Sequence, residues 1–461
     1  MRMKMPETAK NNPSYTAETL KTPLVSVSQA EVFKNRKRIL TNPLPFHNER
    51  FEKHGDTFMV HIGPASKVVF TRNAETIKYI LQKNHKNYHK SSLQSKDLAK
   101  YIGKGILTSN GEFWRTHRRM VQPAFHKKKL EGLLGIMLSA IQTELKEVRP
   151  DVERDIFPLM GDLAFQVVAK SLFSAGDIRE RMRKLQRITM TNQQMLIKEM
   201  RQPYLKWWFH LSGAIRKHIN FSKEGQKILD EVIEERVTSE MEKDDLLDML
   251  LQARYVDGTG MSRQQLIDEV LILFTAGFET TANTLSFTLF LIAKHPEIQE
   301  KLFQEVGQID FDKEDLMQAM GKLTFAKQCL EEAMRLYPPA YVIDRVSLAE
   351  DTIDGHTFKK NTVWLMSIYE LHRHADFWEH PSEFRPERFN AANKKDYSDY
   401  YFPFGAGPRM CVGNNFAMYE MMLTVGLLVK KYRLSTSDSE VQINPLVSLK
   451  PAKVPVKFSL R

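Results

Sequence analysis

Cys411, one of two cysteines in the chain, stands in the string Phe404-Gly405-Ala406-Gly407-Pro408-Arg409-Met410-Cys411-Val412-Gly413, directly ahead of the helical stretch NNFAMYEMMLTVGLLVKKY. A buried thiol keeps its proton unless a metal, or backbone N–H groups at a helix N-terminus, stabilise the thiolate. Glycines at 405, 407 and 413 permit tight turns and the close approach of backbone to a flat cofactor. Arg409 supplies a cation for an anionic group beside it. An isolated cysteine in a glycine-rich loop packs as a small hydrophobe; the whole string, not the thiol alone, points to metal ligation.

Three further groups combine residue types that chemistry uses. Trp114 and Arg118 stand four apart, so on a helix the indole N–H and the guanidinium share one face and both reach an anionic carboxylate. Glu332 and Arg335 stand three apart in an apolar stretch that ends at Pro338-Pro339. On a surface such a pair contributes little, whereas in a core each charge depends on the other. Glu279-Thr280-Thr281 follows Ala276-Gly277 inside a long apolar run, and an acid beside an alcohol is a relay for protons through water.

The elements that must position these groups are mostly helices. Helical apolar spacing runs over 128–148, 157–174, 177–200, 223–241, 262–294, 296–307 and 324–337, with breaks at Pro150, Pro203, Gly258-Gly260, Pro296 and Pro338-Pro339. Ser262 with Gln265 gives the helix 262–294 a capping-box start, and at 1.5 Å per residue it spans about 48 Å. Because LILFTAGF and LSFTLFLIA are apolar all round, this helix is expected to cross the middle of the molecule, with a loosened ladder near Thr280. Alternation over 56–70 predicts a hairpin across Gly63-Pro64, and 74–81 a helix. Short strands are expected at 341–347, 351–354, 362–367 and in the last 20 residues. Residues 1–20 are polar and expected to fray.

With 42% hydrophobic and 27% charged residues, the 461-residue chain reads as a globular protein able to bury a large core. The N-terminal segment carries no apolar run suited to a signal peptide or membrane span, which predicts a cytoplasmic protein without a membrane anchor. Cys329 and Cys411 lie far apart with no CxxC, against a zinc site, a redox dithiol or covalently attached haem. The net charge of +11 comes without any nucleic-acid-binding motif, so an acidic protein partner is the expected counterpart.

FGAGPRMCVG matches, at every fixed position, the FxxGxRxCxG signature of the cytochrome P450 family, and the chain resembles that family, in its soluble bacterial-type form, from about residue 35 onward. Trp114-Arg115-Thr116-His117-Arg118 is similar to its WxxxR, Ala276-Gly277-Phe278-Glu279-Thr280-Thr281 to its AGx(D/E)T(T/S), and Phe384-Arg385-Pro386-Glu387-Arg388-Phe389 to its PERF box. The resemblance implies a mainly α fold: a single large α-rich catalytic domain over 35–461 with a minor antiparallel β part, after a polar, partly flexible segment 1–34. It also implies haem b, with Cys411 as the metal ligand and Phe404, Gly405 and Gly413 shaping the loop around it. Trp114, Arg118, Arg345 and Arg409 would contact the haem propionates, and Ala276 and Gly277 would let the long helix lie against the macrocycle. Glu332, Arg335 and Arg388 would form a buried structural ion network, and Glu279 and Thr280 the proton relay.

The implied activity is that of a monooxygenase, which inserts one atom of O2 into a small organic substrate by hydroxylation or oxidative O-demethylation. Electrons are expected from a separate ferredoxin or flavodoxin with its reductase, docking near His117-Arg118-Arg119 and His126-Lys127-Lys128-Lys129. Substrate contacts are expected from Leu273, Phe274, Phe278, Tyr341, Val342 and Val447, with 193–210 as an aromatic lid. That composition favours an apolar substrate such as a fatty acid or terpenoid. The polar run KNYHKSSLQSKD at 86–97 favours a methoxylated sugar or aromatic acid instead, and a non-catalytic haem sensor or carrier is the alternative of another class.

Overall fold

Ser262 opens the longest helix of the molecule, Arg263–Lys294: its side chain accepts from Gln265 N–H while the Gln265 side chain accepts from Ser262 N–H, completing the capping box. His295-Pro296 closes it, and the next helix starts at once with Pro296 in its first turn. Nearly every residue from Leu266 to Ala293 is buried or half-buried. This central helix packs on Phe157–Phe173, Ala214–Thr238, Thr324–Leu336 and Asn414–Lys431. Thr280, Thr284 and Thr288 hydroxyls donate to the carbonyls of Ala276, Thr280 and Thr284, yet the segment stays α-helical from end to end.

The computed structural model describes residues 24–62, 67–174, 179–239 and 243–461. The expected turn at Gly63-Pro64, the expected frayed segment 1–20 and the start of the helix expected from 177 lie outside them. Thr57–His61 and Lys67–Thr71 pair antiparallel, with Phe58 opposite Phe70 and their rings stacked 5.6 Å apart. They belong to a six-stranded sheet in the order Ser26–Val27, Thr57–His61, Lys67–Thr71, Val363–Ser367, Val342–Ser347, Tyr88–His89. Two of its pairings are parallel, so this sheet is mixed, as strands drawn from both ends of the chain allow. The late strand Pro455–Leu460 pairs antiparallel with Tyr432–Ser435 on one side and with Glu153–Asp155 on the other.

Helices Lys127–Glu144, Phe157–Phe173, Pro296–Gly307 and Thr324–Leu336 fall where apolar spacing places them. The helix expected from 223 begins at Ala214, after Gly213 with φ 73° ends the short helix Lys206–Leu211. Its first turns, AIRKHIN, bury few apolar side chains and so carry little periodic signal. The helix expected over 74–81 is α-helical over Ala74–Lys78 and π-helical over Tyr79–Lys83. Among the described residues no helix is long and apolar enough to cross a membrane.

Candidate active site

The cysteine loop is held by its own backbone: Cys411 N–H donates to the Phe404 carbonyl at 2.9 Å and Met410 N–H to Gly407 at 3.0 Å. Gly405 and Gly407 have φ of 71° and 69°, a region open to glycine at little cost. A side chain at Gly407 would also collide with the Leu81 carbonyl, so this glycine lets the loop seat against the π-helical turn. Gly413 has an ordinary φ and an uncrowded Cα, contrary to the expectation of a conformational need there. Its contribution is the N–H, which bonds to the Cys411 thiol just before the helix Asn414–Lys431. Burial pushes that thiol up, while the Gly413 N–H and the Arg118 charge pull it down.

Cys411 opens onto a cavity of about 380 Å³. Four cations border it, and three of them, Lys90, Arg345 and Arg409, are close enough to act on one another's charge. Arg118 donates to the Met410 carbonyl at 2.8 Å, Arg345 to Asp344 O at 2.7 Å, and Arg409 to Ser109 O at 3.2 Å while lying 4.2 Å over the Trp114 ring. Lys90 donates to the carbonyls of Ile106 and Leu107 at 2.7 and 2.6 Å. None of the four forms an ion pair with a carboxylate among the described residues; Asp344 is occupied by Ser91 and Gln94. Burial, then Arg345, pushes Arg409 down to about 10. Burial, then Arg409 and Arg345, holds Lys90 well below the usual lysine range. Buried cations that repel one another are stabilised by an anion placed among them.

The far side of the cavity is the central helix. Residues three and four apart share a face, and Leu273, Ala276, Gly277, Thr280, Thr281 and Thr284 all border this space. Ala276 is open to it, whereas the missing side chain of Gly277 accommodates Val168 of the neighbouring helix. Gly277 therefore sets the approach of two helices, beyond the expected approach to a cofactor.

Glu279 does not join Thr280 there. One residue along a helix turns the side chain by about 100°, and Glu279 faces a second cavity of about 290 Å³ with Phe278, Leu446, Val447 and Gln193. Its carboxylate accepts from Ser448 Oγ at 2.6 Å. Of the expected substrate contacts, Leu273 and Val342 border the first cavity. Phe274 is buried against Phe165 and Phe278. Tyr341 is buried with its hydroxyl on the Leu446 carbonyl at 2.9 Å, and burial pushes it up to about 12. Phe278 and Val447 border the second cavity. In the expected lid, Met195 is buried in the core, while Tyr204, Trp207 and Trp208 face solvent.

Glu332, Arg335 and Arg388 meet in the core. Arg335 grips Glu332 with two bonds at 2.7 and 2.9 Å and also donates to the carbonyls of His372, Pro381 and Glu383. Arg388 and the Arg385 N–H reach the same carboxylate at 3.3 and 2.9 Å. Every carboxylate oxygen and most guanidinium donors are satisfied, the condition under which a buried ion network is tolerated. His117, expected on a basic surface, is buried and bonded to Glu269 at 2.7 Å. The stretches holding Lys90 and Ser448 were expected only as pocket wall; the charge of Lys90 among the arginines, the bond of Ser448 to Glu279 and the anchoring role of His372 escaped sequence reasoning because only burial distinguishes these residues from ordinary loop residues.

The family model for cytochrome P450 matches residues 31–458. The chain is 28% identical to the cyclooctat-9-en-7-ol 5-monooxygenase of Streptomyces melanosporofaciens, with 83% of each chain covered. It is also 28% identical to the 11-oxo-beta-amyrin 30-oxidase of Glycyrrhiza uralensis, over 88% of this chain and 80% of that one. The crystal structure of the cytochrome P450 CYP102L1 superposes with a TM-score of 0.81 at 22% identity, covering 91% of this chain and 95% of that one. The chain belongs to the cytochrome P450 family, and its activity is that of a cytochrome P450 monooxygenase with haem b.

The residues present fit that cofactor. Four unpaired cations and Trp114 suit the two carboxylates of haem. Among the described residues no group of three His, Cys, Asp or Glu could hold a bare metal ion, so Cys411 suits a metal that brings its other ligands with it.

Proposed function

We propose that Cys411 would ligate the haem iron through its sulfur, and that Lys90, Trp114, Arg118, Arg345 and Arg409 would hold the propionates. Phe404, Gly405 and Gly413 shape the loop beneath it, and Ala276 and Gly277 border it from the central helix. The catalytic domain, expected over 35–461, takes in the strand Ser26–Val27 as well, since that strand pairs with Thr57–His61. A thiolate-ligated haem, when bound, supplies the reductive activation of O2 and the transfer of one oxygen atom to substrate. The chain's own residues select what is presented to it. Thr280 offers its hydroxyl to the reaction side of the central helix, and Glu279 takes up the protons that the reaction consumes.

The substrate is apolar, of the fatty acid or terpenoid class, and undergoes hydroxylation. The carrying observation is the apolar wall of the cavity that would also take the haem: Leu107, Val168, Leu172, Leu273 and Val342 line it together with Cys411 and Thr280. Relatives named for oxidising a polycyclic alcohol and an amyrin support the terpenoid side. Electrons come from a separate acidic ferredoxin or flavodoxin. Lys127, Lys128 and Lys129 occupy the first turn of a helix without an acidic neighbour there, a placement that opposes the helix dipole. A partner's carboxylates offset that cost.

The test is a screen of terpenoids, fatty acids and methoxylated sugars or aromatic acids for ligand-induced shifts of the haem spectrum, followed by product analysis with a reconstituted electron-transfer chain. Tight binding and hydroxylation confined to apolar compounds is the expected result. Demethylation of a polar methoxylated compound overturns the substrate class, and spectral binding without turnover across the panel favours a sensor.

A further inference from the structure

Ser448 sits in the turn between the strands Gln442–Pro445 and Leu449–Lys453, buried, with its hydroxyl between two side chains of the central helix. Asn283 Nδ2 donates to Ser448 Oγ at 3.0 Å, and Ser448 Oγ donates to Glu279 Oε1 at 2.6 Å. Among the described residues no other side chain hydrogen-bonds to Glu279. Asn283 is fully buried, and its Oδ1 has no partner.

From this juxtaposition we infer that Ser448 is a positioning residue for proton uptake, holding the Glu279 carboxylate in the second cavity, on the side of the helix away from Thr280. The inference rests on the reading of Glu279 and Thr280 as the proton relay. With Asn283 donating to it, the single hydroxyl proton of Ser448 is left for the Glu279 carboxylate. When Glu279 takes a proton from water in the second cavity, its carboxyl becomes the donor. The Ser448 hydroxyl then turns to Asn283, and a half-turn of that amide presents the oxygen now lacking a partner. The trio thus serves both protonation states. In this cycle the protonated carboxyl swings toward Thr280, passes its proton to the Thr280 hydroxyl oxygen as that hydroxyl gives up its own proton on the reaction side, and returns ionised. Each turnover consumes O2, two electrons from the redox partner and two protons, and yields one oxidised product and one water.

The alternative is a purely structural tie between the C-terminal turn and the central helix. Four variants of the haem-loaded protein separate the two: Ser448→Ala, Ser448→Thr, Glu279→Gln and Thr280→Ala. Haem content, melting temperature, the fraction of electrons lost to peroxide and the solvent isotope effect on turnover are measured for each. Infrared spectra of the resting protein follow the Glu279 carboxylate band, identified by its loss in Glu279→Gln.

The expected result for Ser448→Ala is an about tenfold fall in coupled turnover, from loss of a bond to a charged group. A larger solvent isotope effect and a shifted carboxylate band accompany it at unchanged haem content, and Ser448→Thr restores all three. If Glu279→Gln and Thr280→Ala uncouple while Ser448→Ala leaves coupling and isotope effect at wild-type values, the role of Ser448 is overturned and the relay stands. If Glu279→Gln is itself fully coupled, the relay and the inference fall together.

Discussion

The imidazole of His372 accepts the Phe402 N–H at 2.9 Å, so the chain enters the cysteine loop suspended from a buried titratable ring. Burial, then the Arg335 and Arg373 charges, pushes His372 down to about 3, and burial alone pushes His47 down to about 4. Both are neutral in the folded protein at moderate acidity, whereas in the unfolded chain they protonate near 6.5. Their contribution is therefore fully present above about pH 6.5 and is lost as pH falls toward 4 and then 3. Each histidine should steepen the loss by about 1.4 kcal/mol per pH unit within its window. Denaturant titrations between pH 7 and 4 should give a slope shallower by about one proton in His372→Gln, whose amide oxygen can still accept the Phe402 N–H.

Arg335→Ala leaves Glu332 in the core with only Arg388 and the Arg385 N–H, so a loss of about 3–5 kcal/mol is expected. Glu332→Gln, which keeps the shape and removes one charge, strands two guanidinium groups and should cost a similar amount. Guanidinium unfolding monitored by circular dichroism measures both, and values within 1 kcal/mol of wild type would remove the network from the fold's supports.

Lys90 holds the backbone of Ile106 and Leu107 and turns its charge toward Arg409 and Arg345. If the anionic end of haem binds among these cations, Lys90→Met should speed haem transfer to apomyoglobin by about tenfold, the range expected for one hydrogen bond to a charged group. The haem-free protein should change little in stability, because removal of a buried charge repelled by its neighbours offsets the loss of its bonds to the Ile106 and Leu107 carbonyls. Equal haem loss from both proteins would place the propionates elsewhere.

Raising ionic strength from 0.05 to 0.5 M, a range chosen to shorten the Debye length to about 4 Å, should slow reduction by an acidic ferredoxin. Replacing Lys127, Lys128 and Lys129 together by glutamine should lower the low-salt rate and flatten its salt dependence. The same replacement should leave the melting temperature unchanged or raise it, since these lysines oppose the helix dipole. Stopped-flow reduction and calorimetry read the two effects separately.

What the sequence made legible was set by short spacings. Trp114 and Arg118, or Glu332 and Arg335, lie within one turn, and their shared face follows from helix geometry whatever surrounds them. The cysteine loop was legible because its glycines and arginine sit at fixed offsets from the thiol. The central helix was harder. Its termini follow from Ser262 and Pro296, but a helix that is apolar all round carries no preferred direction, so nothing in Phe274, Phe278, Glu279 and Thr280 says which neighbour each will face. Three different environments meet those four residues: the aromatic contact with Phe165, the second cavity and the cavity of Cys411. The aromatic run at 204–209 is ambiguous for a related reason, since tryptophan suits a pocket wall and a surface equally well, and Tyr204, Trp207 and Trp208 face solvent.

The turn that receives Gly407 contributes a carbonyl from Leu81, and the floor of the loop is braced by Arg118 and by the Ser109 carbonyl, 292 and 300 residues from their partners. Contacts of such long sequence separation form late, because the loop-closure entropy between them must be met first. The pocket therefore cannot close until the segment through Cys411 has been synthesised, and capture of the prosthetic group must follow that point.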